Sequence, residues 1–352
     1  MAGASSTEDD PPRNAAISSA WSSLVRRSIE AWESLNPDMG VLQTSFLQSW
    51  DSLDDLLTQA PGSLMFWFFQ KREAFLSQKA MTKWSNDRLD DYILLPATPG
   101  FVLRTDCFFV SHFWRSKEHP DPDGKYLRLI QNDLQQQTWS YVWVDWTCIP
   151  QSPRNDKEKA YFRRVLQTMS GIIRNSGFIY YYPPFEARLW ILYEVAEYTL
   201  TSESELYVTE DLKEFTDHVK EMVQVGVRPT LERHQYKCTY EPDKDFLISW
   251  LEVLVLLQRL HVDIQGVRQL LDSLTWHPFA KQLIMTTEGI LECSRFEGNL
   301  ILNRQRHTFT PFPRLEIWPE HSRNIPTELR DSVPISGTWG FAPSETQPRP
   351  SS

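Results

Sequence analysis

The segment from 104 to 200 most constrains the fold, because it alternates short apolar runs suited to strands with amphipathic stretches suited to helices. Asp106-Cys-Phe-Phe-Val-Ser111 reads as a strand and His112 to Asp123 as a polar loop. Gly124 to Gln137 reads as a helix with Leu127, Ile130 and Leu134 on one stripe. Tyr141 to Asp145 is a second strand. Lys157 to Asn175 is a helix with Phe162, Leu166, Met169 and Ile173 on one face, and Val165 and Ile172 beside them. Gly177 to Tyr182 is a third strand, stopped by Pro183-Pro184, and Ala187 to Leu200 is the next helix. Such alternation implies parallel pairing through right-handed crossovers, so the three strand ends share one rim. Ser111, His112, Asp145 and Tyr182 gather there, at the carboxyl ends where open α/β sheets bind ligands.

The flanks are less regular. Residues 1–17 offer little apolar surface and are expected to be disordered. Residues 18–100 are expected to be mainly helical: Trp21, Leu24, Val25, Ile29 and Trp32 recur at spacings of three and four, and Phe46 to Phe75 holds further helical or buried segments broken at Pro61-Gly62. The α/β core is placed at 101–205. A mainly helical extension packs on it over 206–334, with helices at Asp211 to Val225, Asp245 to Leu260 and Ile264 to Leu274, and a loop or hairpin from Gly226 to Asp243. A flexible tail follows over 335–352.

Composition narrows the partners. A net charge of -10 argues against a general nucleic-acid binder. The 14 Trp call for a core that supplies acceptors to indole N–H groups. Cys107, Cys148, Cys238 and Cys293 are too dispersed for a structural zinc site, and reduced thiols are expected. His218, His234, His261, His277, His307 and His321 lack HxxxH spacing, so no metal site is expected. The amino terminus lacks the basic and apolar regions of a secretory signal, and Leu64 to Phe69 is too short to span a bilayer. A soluble, cytoplasmic protein is the expectation.

Three constellations carry candidate chemistry. In Ser111-His-Phe-Trp114, hydroxyl, imidazole and indole either face a ligand or cap the loop. Asp145 either orients a ligand hydroxyl or accepts loop backbone N–H groups. Cys148 beside that carboxylate is disfavoured as a thiolate and reads as a packing group. In Arg188-Leu-Trp190-Ile-Leu-Tyr-Glu194, Trp190 and Glu194 are four apart and share a helix face. A carboxylate beside a ring suits N-glycosidic cleavage: the ring stacks on the leaving base and the carboxylate stabilises charge developing on the sugar. The alternative is a half-buried Glu bonded to the rim.

Together these blocks resemble the heterokaryon-incompatibility (HET) domain. Trp143, Asp145, Cys148, Ile149 and Gln151 match its Trp-Ile-Asp-x-x-Cys-Ile-x-Gln block, with Val144 for Ile. Lys157-Glu158, Met169 and Phe178-Ile-Tyr180 match the next block, and Arg188, Trp190 and Glu194 match Arg-x-Trp-x-x-x-Glu. The opening Ser-Tyr-x-Trp-Gly block is represented by Ser111 to Trp114 without the Gly. HET domains are similar to TIR domains, whose catalytic Glu lies in Trp-Cys-x-x-Glu; here Ile191 replaces the Cys. The resemblance implies a flavodoxin-like parallel sheet flanked by helices, with helical extensions at both ends. It implies signalling in self/non-self recognition or cell death, through homo-oligomers and protein partners. It makes NAD the candidate substrate, Glu194 the candidate catalytic residue, and Ser111, His112, Trp114, Asp145, Arg188 and Trp190 the candidate binding residues. The other implied outcome is a non-enzymatic interaction module that signals by self-association.

Overall fold

Phe66-Trp-Phe-Phe69 is apolar on both of its alternating faces, which suits an interior strand of a sheet, and that is where it lies. The computed structural model describes residues 11–35, 40–59, 64–116, 118–202, 206, 208–276 and 281–313. The chain begins with α1 (Pro11–Leu35), α2 (Val41–Gln48), α3 (Leu53–Leu57), β1 (Phe66–Lys71), α4 (Arg72–Leu76), β2 (Tyr92–Pro96) and β3 (Cys107–His112). It continues through α5 (Lys125–Gln135), β4 (Tyr141–Trp143), α6 (Asp145–Cys148), α7 (Asp156–Thr168), α8 (Ser170–Asn175), β5 (Gly177–Tyr181) and α9 (Leu189–Thr201). Then come α10 (Glu210–Val225), α11 (Val227–Arg233), α12 (Glu241–Arg259), α13 (Ile264–Trp276) and the strands β6 (Gln282–Thr286), β7 (Gly289–Ser294), β8 (Asn299–Leu302) and β9 (Gln305–Thr308).

The main sheet has the order β2-β1-β4-β3-β5. β4, β3 and β5 are parallel, as the alternation requires. β1 and β2 are added antiparallel, so the sheet is mixed rather than wholly parallel. This corrects the mainly helical expectation for 18–100: a short continuous apolar run does not by itself separate strand from helix. A second sheet, β6-β7-β8-β9, is antiparallel and replaces helix beyond Trp276 in the region expected to be mainly helical. Its last turn, Asn303-Arg304, has both residues at positive φ (50° and 69°), the conformation a two-residue hairpin turn needs. The expected loop at Gly226 to Asp243 contains α11. Helix begins at Pro11, inside the segment expected to be disordered. Residues 1–10, the break at Pro61-Gly62 and the tail 335–352 lie outside the described residues.

Two apolar layers cover the sheet. On one face α5 buries Leu127, Ile130 and Leu134 against Val110, Val142 and Trp146. On the other, Phe109 stacks on Trp143 (5.1 Å between centroids) and on Phe178 (5.8 Å), a row of rings across β4, β3 and β5. Over this row lie α7, α8 and α9, with Tyr161, Val165, Ile172, Leu192 and Ala196 buried. The α7 stripe is rotated from its expected position: Tyr161 and Val165 are buried, while Phe162 and Leu166 sit at the margin. Asn155 starts α7 with a reciprocal cap, its side chain accepting from Glu158 N and its own N–H donating to the Glu158 carboxylate. Several indoles find acceptors as expected: Trp21 donates to Trp50 O (3.1 Å), Trp32 to Leu94 O (2.9 Å) and Trp139 to Leu134 O (2.8 Å), whereas the buried Trp84 and Trp143 Nε1 groups have none among the described residues.

A buried polar knot ties α9 to its neighbours. Arg174 on α8 and Glu197 on α9 are fully buried and ion-paired, and Arg174 also pairs with Asp272 on α13. Trp250 on α12 donates to the second Glu197 oxygen (2.6 Å), so no oxygen of that carboxylate is left bare. Arg268 on α13 donates to Thr201 O (2.8 Å) and Arg174 O (3.2 Å), placing a cation at the carboxyl ends of α9 and α8. Deleting one partner strands a buried charge, which costs about 3–5 kcal/mol. Glu197→Ala is therefore expected to lower the unfolding free energy by about that amount in urea denaturation. Replacing the pair together (Arg174→Met with Glu197→Leu) is expected to cost less than Glu197→Leu alone.

Candidate active site

β3 ends in two consecutive polar residues, and strand alternation sends them to opposite faces of the sheet. Ser111 pairs across to Tyr180 and faces the α9 side, whereas His112 pairs across to Tyr181 and faces the α5 side. The rim therefore holds two adjoining clusters instead of the single pocket that strand connectivity suggests.

On the α9 side, the Ser111 hydroxyl donates to the Glu194 carboxylate in a short hydrogen bond. Ser111 Oγ also lies 2.6 Å from the Tyr182 hydroxyl, so hydroxyl, hydroxyl and carboxylate form a chain. Ser111 is buried and Glu194 partly buried. Burial pushes the Glu194 carboxyl up to about 8; the Ser111 hydrogen bond pulls the other way, and the Asp145 carboxylate adds to the rise. The two clusters, although attached to different faces of β3, adjoin at the rim.

On the α5 side, Asp145 stands one residue past Val144, at the start of α6, where the β4 strand has ended. Its carboxylate accepts from Trp146 N (2.6 Å), Trp114 Nε1 (2.7 Å) and His112 Nε2 (2.8 Å). Its own carbonyl accepts from Gln151 Nε2 (2.8 Å). The His112 side chain is 2% exposed and that of Asp145 33% exposed. For a neutral ring this contact places the hydrogen on Nε2. Nδ1 is then a buried acceptor with no hydrogen-bond partner among the described residues. His112, Trp114 and Asp145 are thus engaged with one another, the arrangement that the structural alternative for Asp145 calls for, and they set the shape of the rim.

Arg188 and Trp190 join neither cluster directly. The Arg188 guanidinium lies 4.8 Å over the Phe113 ring, is 36% exposed, and meets Glu186 at 3.4 Å. Its backbone and that of Ala187 run beside Lys237, with Leu189 N donating to Lys237 O (2.9 Å) and Lys237 N to Ala187 O (2.8 Å). The Trp190 side chain hydrogen-bonds to Asp243 and packs edge-on against Tyr193. The expectation that its ring stacks on a bound base meets this existing engagement.

Other sequence expectations fall into place. Cys148 is fully buried and its thiol is pushed up to about 11, as befits a packing group. Asp121 caps α5, accepting from Tyr126 N (3.0 Å) and Leu127 N (2.8 Å). Tyr182 belongs to the site although only its position at the rim pointed to it; Phe178, Tyr180 and Tyr182 alternate onto the Ser111 face, and that alternation was the available signal. Phe113 and Asp243, which hold Arg188 and Trp190, carry no signal in sequence. A groove of about 840 Å³ runs along the free outer edge of β5, lined by Tyr180, Tyr181, Tyr182, Arg115 and Asp211. It meets the site at Tyr182, and Glu194 is not part of its lining.

Set against family models, curated proteins and solved structures, the chain finds no match in any of the three.

The raised pKa of Glu194 has a consequence for stability. Its pKa in the fold (about 8) exceeds that of a free carboxyl (4.5), so between those values the folded protein holds a proton the unfolded chain has lost. That contribution is complete below about 4.5 and lost as pH rises through about 8. Wild-type stability is expected to fall by a few kcal/mol over this window relative to Glu194→Gln, as measured by denaturation of both proteins across pH.

Proposed function

We propose that the Ser111–Glu194 pair hydrolyses the N-glycosidic bond of a cationic nicotinamide nucleotide such as NAD, in a protein of the HET and TIR type. The observation that carries this is a carboxyl group at the carboxyl-end rim of three parallel strands, hydrogen-bonded by Ser111 and raised to about 8. Three adjacent parallel strands covered by helices on both faces support the flavodoxin-like core that the resemblance implies, with β1 and β2 as additions to it.

A carboxyl raised in this way stays largely protonated at neutral pH until a positive charge approaches. A pyridinium ring is such a charge, and its field favours the ionised form. The substrate thus switches on its own catalyst, and a neutral base does not. As the bond from the ribose anomeric carbon to the ring nitrogen breaks, the electron pair passes to that nitrogen and neutralises the ring. Positive charge moves to the sugar, where the Glu194 carboxylate stabilises it. Water then bonds to the anomeric carbon, its proton leaves through Glu194, and nicotinamide and an ADP-ribose product result. Ser111, held by Tyr182, keeps the carboxylate aimed. Arg188, raised at the rim over Phe113 and partly exposed, is placed to meet the pyrophosphate.

A second reading has its own support. His112, Trp114, Asp145 and Trp190 are already engaged with other side chains, and β5, the last strand of its sheet among the described residues, lies beside a groove. These features suit an interaction module that signals by self-association.

Nicotinamide release from NAD by the purified chain, measured over a range of protein concentrations, separates the two. Hydrolysis is expected, and Glu194→Gln should reduce kcat/KM by at least about 100-fold, the range general for a positioned acid–base group. Because the ionised carboxylate is the active form, kcat/KM should climb with pH and level off above about 8. Ser111→Ala removes the bond that favours ionisation, so its profile should shift to higher pH. Turnover that is absent at every concentration, or equal in Glu194→Gln, leaves the interaction module.

A further inference from the structure

α10 and α11 meet at a sharp turn, and the turn brings together two imidazoles and a carboxylate from separate parts of the sequence. Gly226 joins the two helices at φ 116°, and Gln235 takes φ 52° after α11, so that His234 and Tyr236 both fold back onto α10. His218 and Glu221 lie three apart on α10 and share its face. The His218 and His234 rings stack with centroids 3.6 Å apart and an interplanar angle of 28°. One ligand-type atom from each of His218, Glu221 and His234 falls within 4.8 Å of the others.

We propose that His218, Glu221 and His234 form a binding site for a divalent transition-metal ion of the zinc class, with water completing four-coordination. Two imidazole nitrogens and one carboxylate are a donor set zinc accepts, with an open fourth position.

The surroundings have the features of a built site. Tyr236 Oη lies 2.8 Å from His218 Nδ1; with Nδ1–H donating to it, Nε2 is left bare and aimed as a ligand. Arg233 holds Glu221 Oε1 at 2.5 Å, which leaves Oε2 for the ion. Glu221 Oε2 now accepts from His234 Nε2 at 2.8 Å, and that proton is the one a metal displaces. His234 is partly exposed, and zinc bonds to such donors are about 2.0–2.1 Å long. Glu214 and Asp217 add further acidic charge beside His218.

The position suggests what the ion does. Phe185 packs edge-on against His218, and Tyr236 precedes the Lys237 backbone that pairs with the strand leading into α9. A metal here braces the entry to α9, which carries Glu194. This site stands independently of the reaction proposed above.

The test uses the full chain stripped of metal by a chelator. Titrated with Zn2+ against a chromogenic competitor, it should bind one equivalent and melt at a higher temperature. With Co2+ it should show the intense visible absorption of a four-coordinate centre. His234→Ala lies on the half-exposed turn and should fold, with affinity reduced at least about 100-fold. Tyr236→Phe keeps all three ligands and should weaken binding about 10–100-fold. His261→Ala, at a histidine outside the three-ligand set, should bind as wild type does. No stoichiometric binding, or Zn2+ affinity unchanged in both His234→Ala and Tyr236→Phe, overturns the proposal.

Discussion

The site depends on a charge pair that lies outside it. Glu194 and Glu197 are neighbours on α9, three residues apart, and their fates differ because of what each meets. Glu197 faces Arg174 and the Trp250 indole, so its charge is compensated deep in the core. Glu194 faces a serine hydroxyl and, among the described residues, no cation, so burial pushes its carboxyl toward protonation. The Glu197 pair draws together α8, α9, α12 and α13, and a helix tied this way cannot rotate without stranding a buried charge. That constraint fixes the face α9 turns to the sheet, and with it the contact between Glu194 and Ser111. Buried ion pairs are weak sources of stability but good sources of register, and register is what the rim needs.

The end of β3 divides the rim because the side-chain period of a strand is two. Ser111 and His112 are adjacent in sequence and belong to different environments, one against α9 and the other against Asp145 and Trp114. Asp145 is the busier carboxylate, with three donors on its two oxygens; Glu194 has the single donor Ser111. A carboxylate saturated with hydrogen bonds is a poor partner for a passing ligand, and one left short of them is a better one. This difference in donor supply moves the candidate chemistry to the α9 side. It leaves the Asp145 cluster as the brace that sets the loop after β4.

Much of the α/β core was legible because its elements repeat at periods the chain cannot hide. Leu127, Ile130 and Leu134 mark α5, and the alternation through Phe109, Ser111, Phe178, Tyr180 and Tyr182 marks one face of β3 and β5. β1 was not legible as a strand: Phe66 to Phe69 is apolar at every position, so no period separates a fully buried strand from a buried helix. The hairpin strands from Gln282 to Thr308 were missed although Asn303 sits where a tight turn needs positive φ. Similarly, His218 and His234 are sixteen residues apart in the chain and show no ligand spacing, yet the turn at Gln235 stacks their rings.

What sequence alone determined is local: which residues form strands and helices in the core, that β4, β3 and β5 run parallel, and that Ser111, Asp145 and Glu194 arrive near one rim. Hydrophobic period and connectivity carry that information, since both are properties of neighbouring residues. Which of those groups are already satisfied was decided only by tertiary structure. Hydrogen-bond partners such as Trp114 for Asp145, and Trp250 and Arg174 for Glu197, come from remote segments. Only the folded chain brings them within 3 Å or so, the range at which a carboxylate's acidity and its freedom to act are settled.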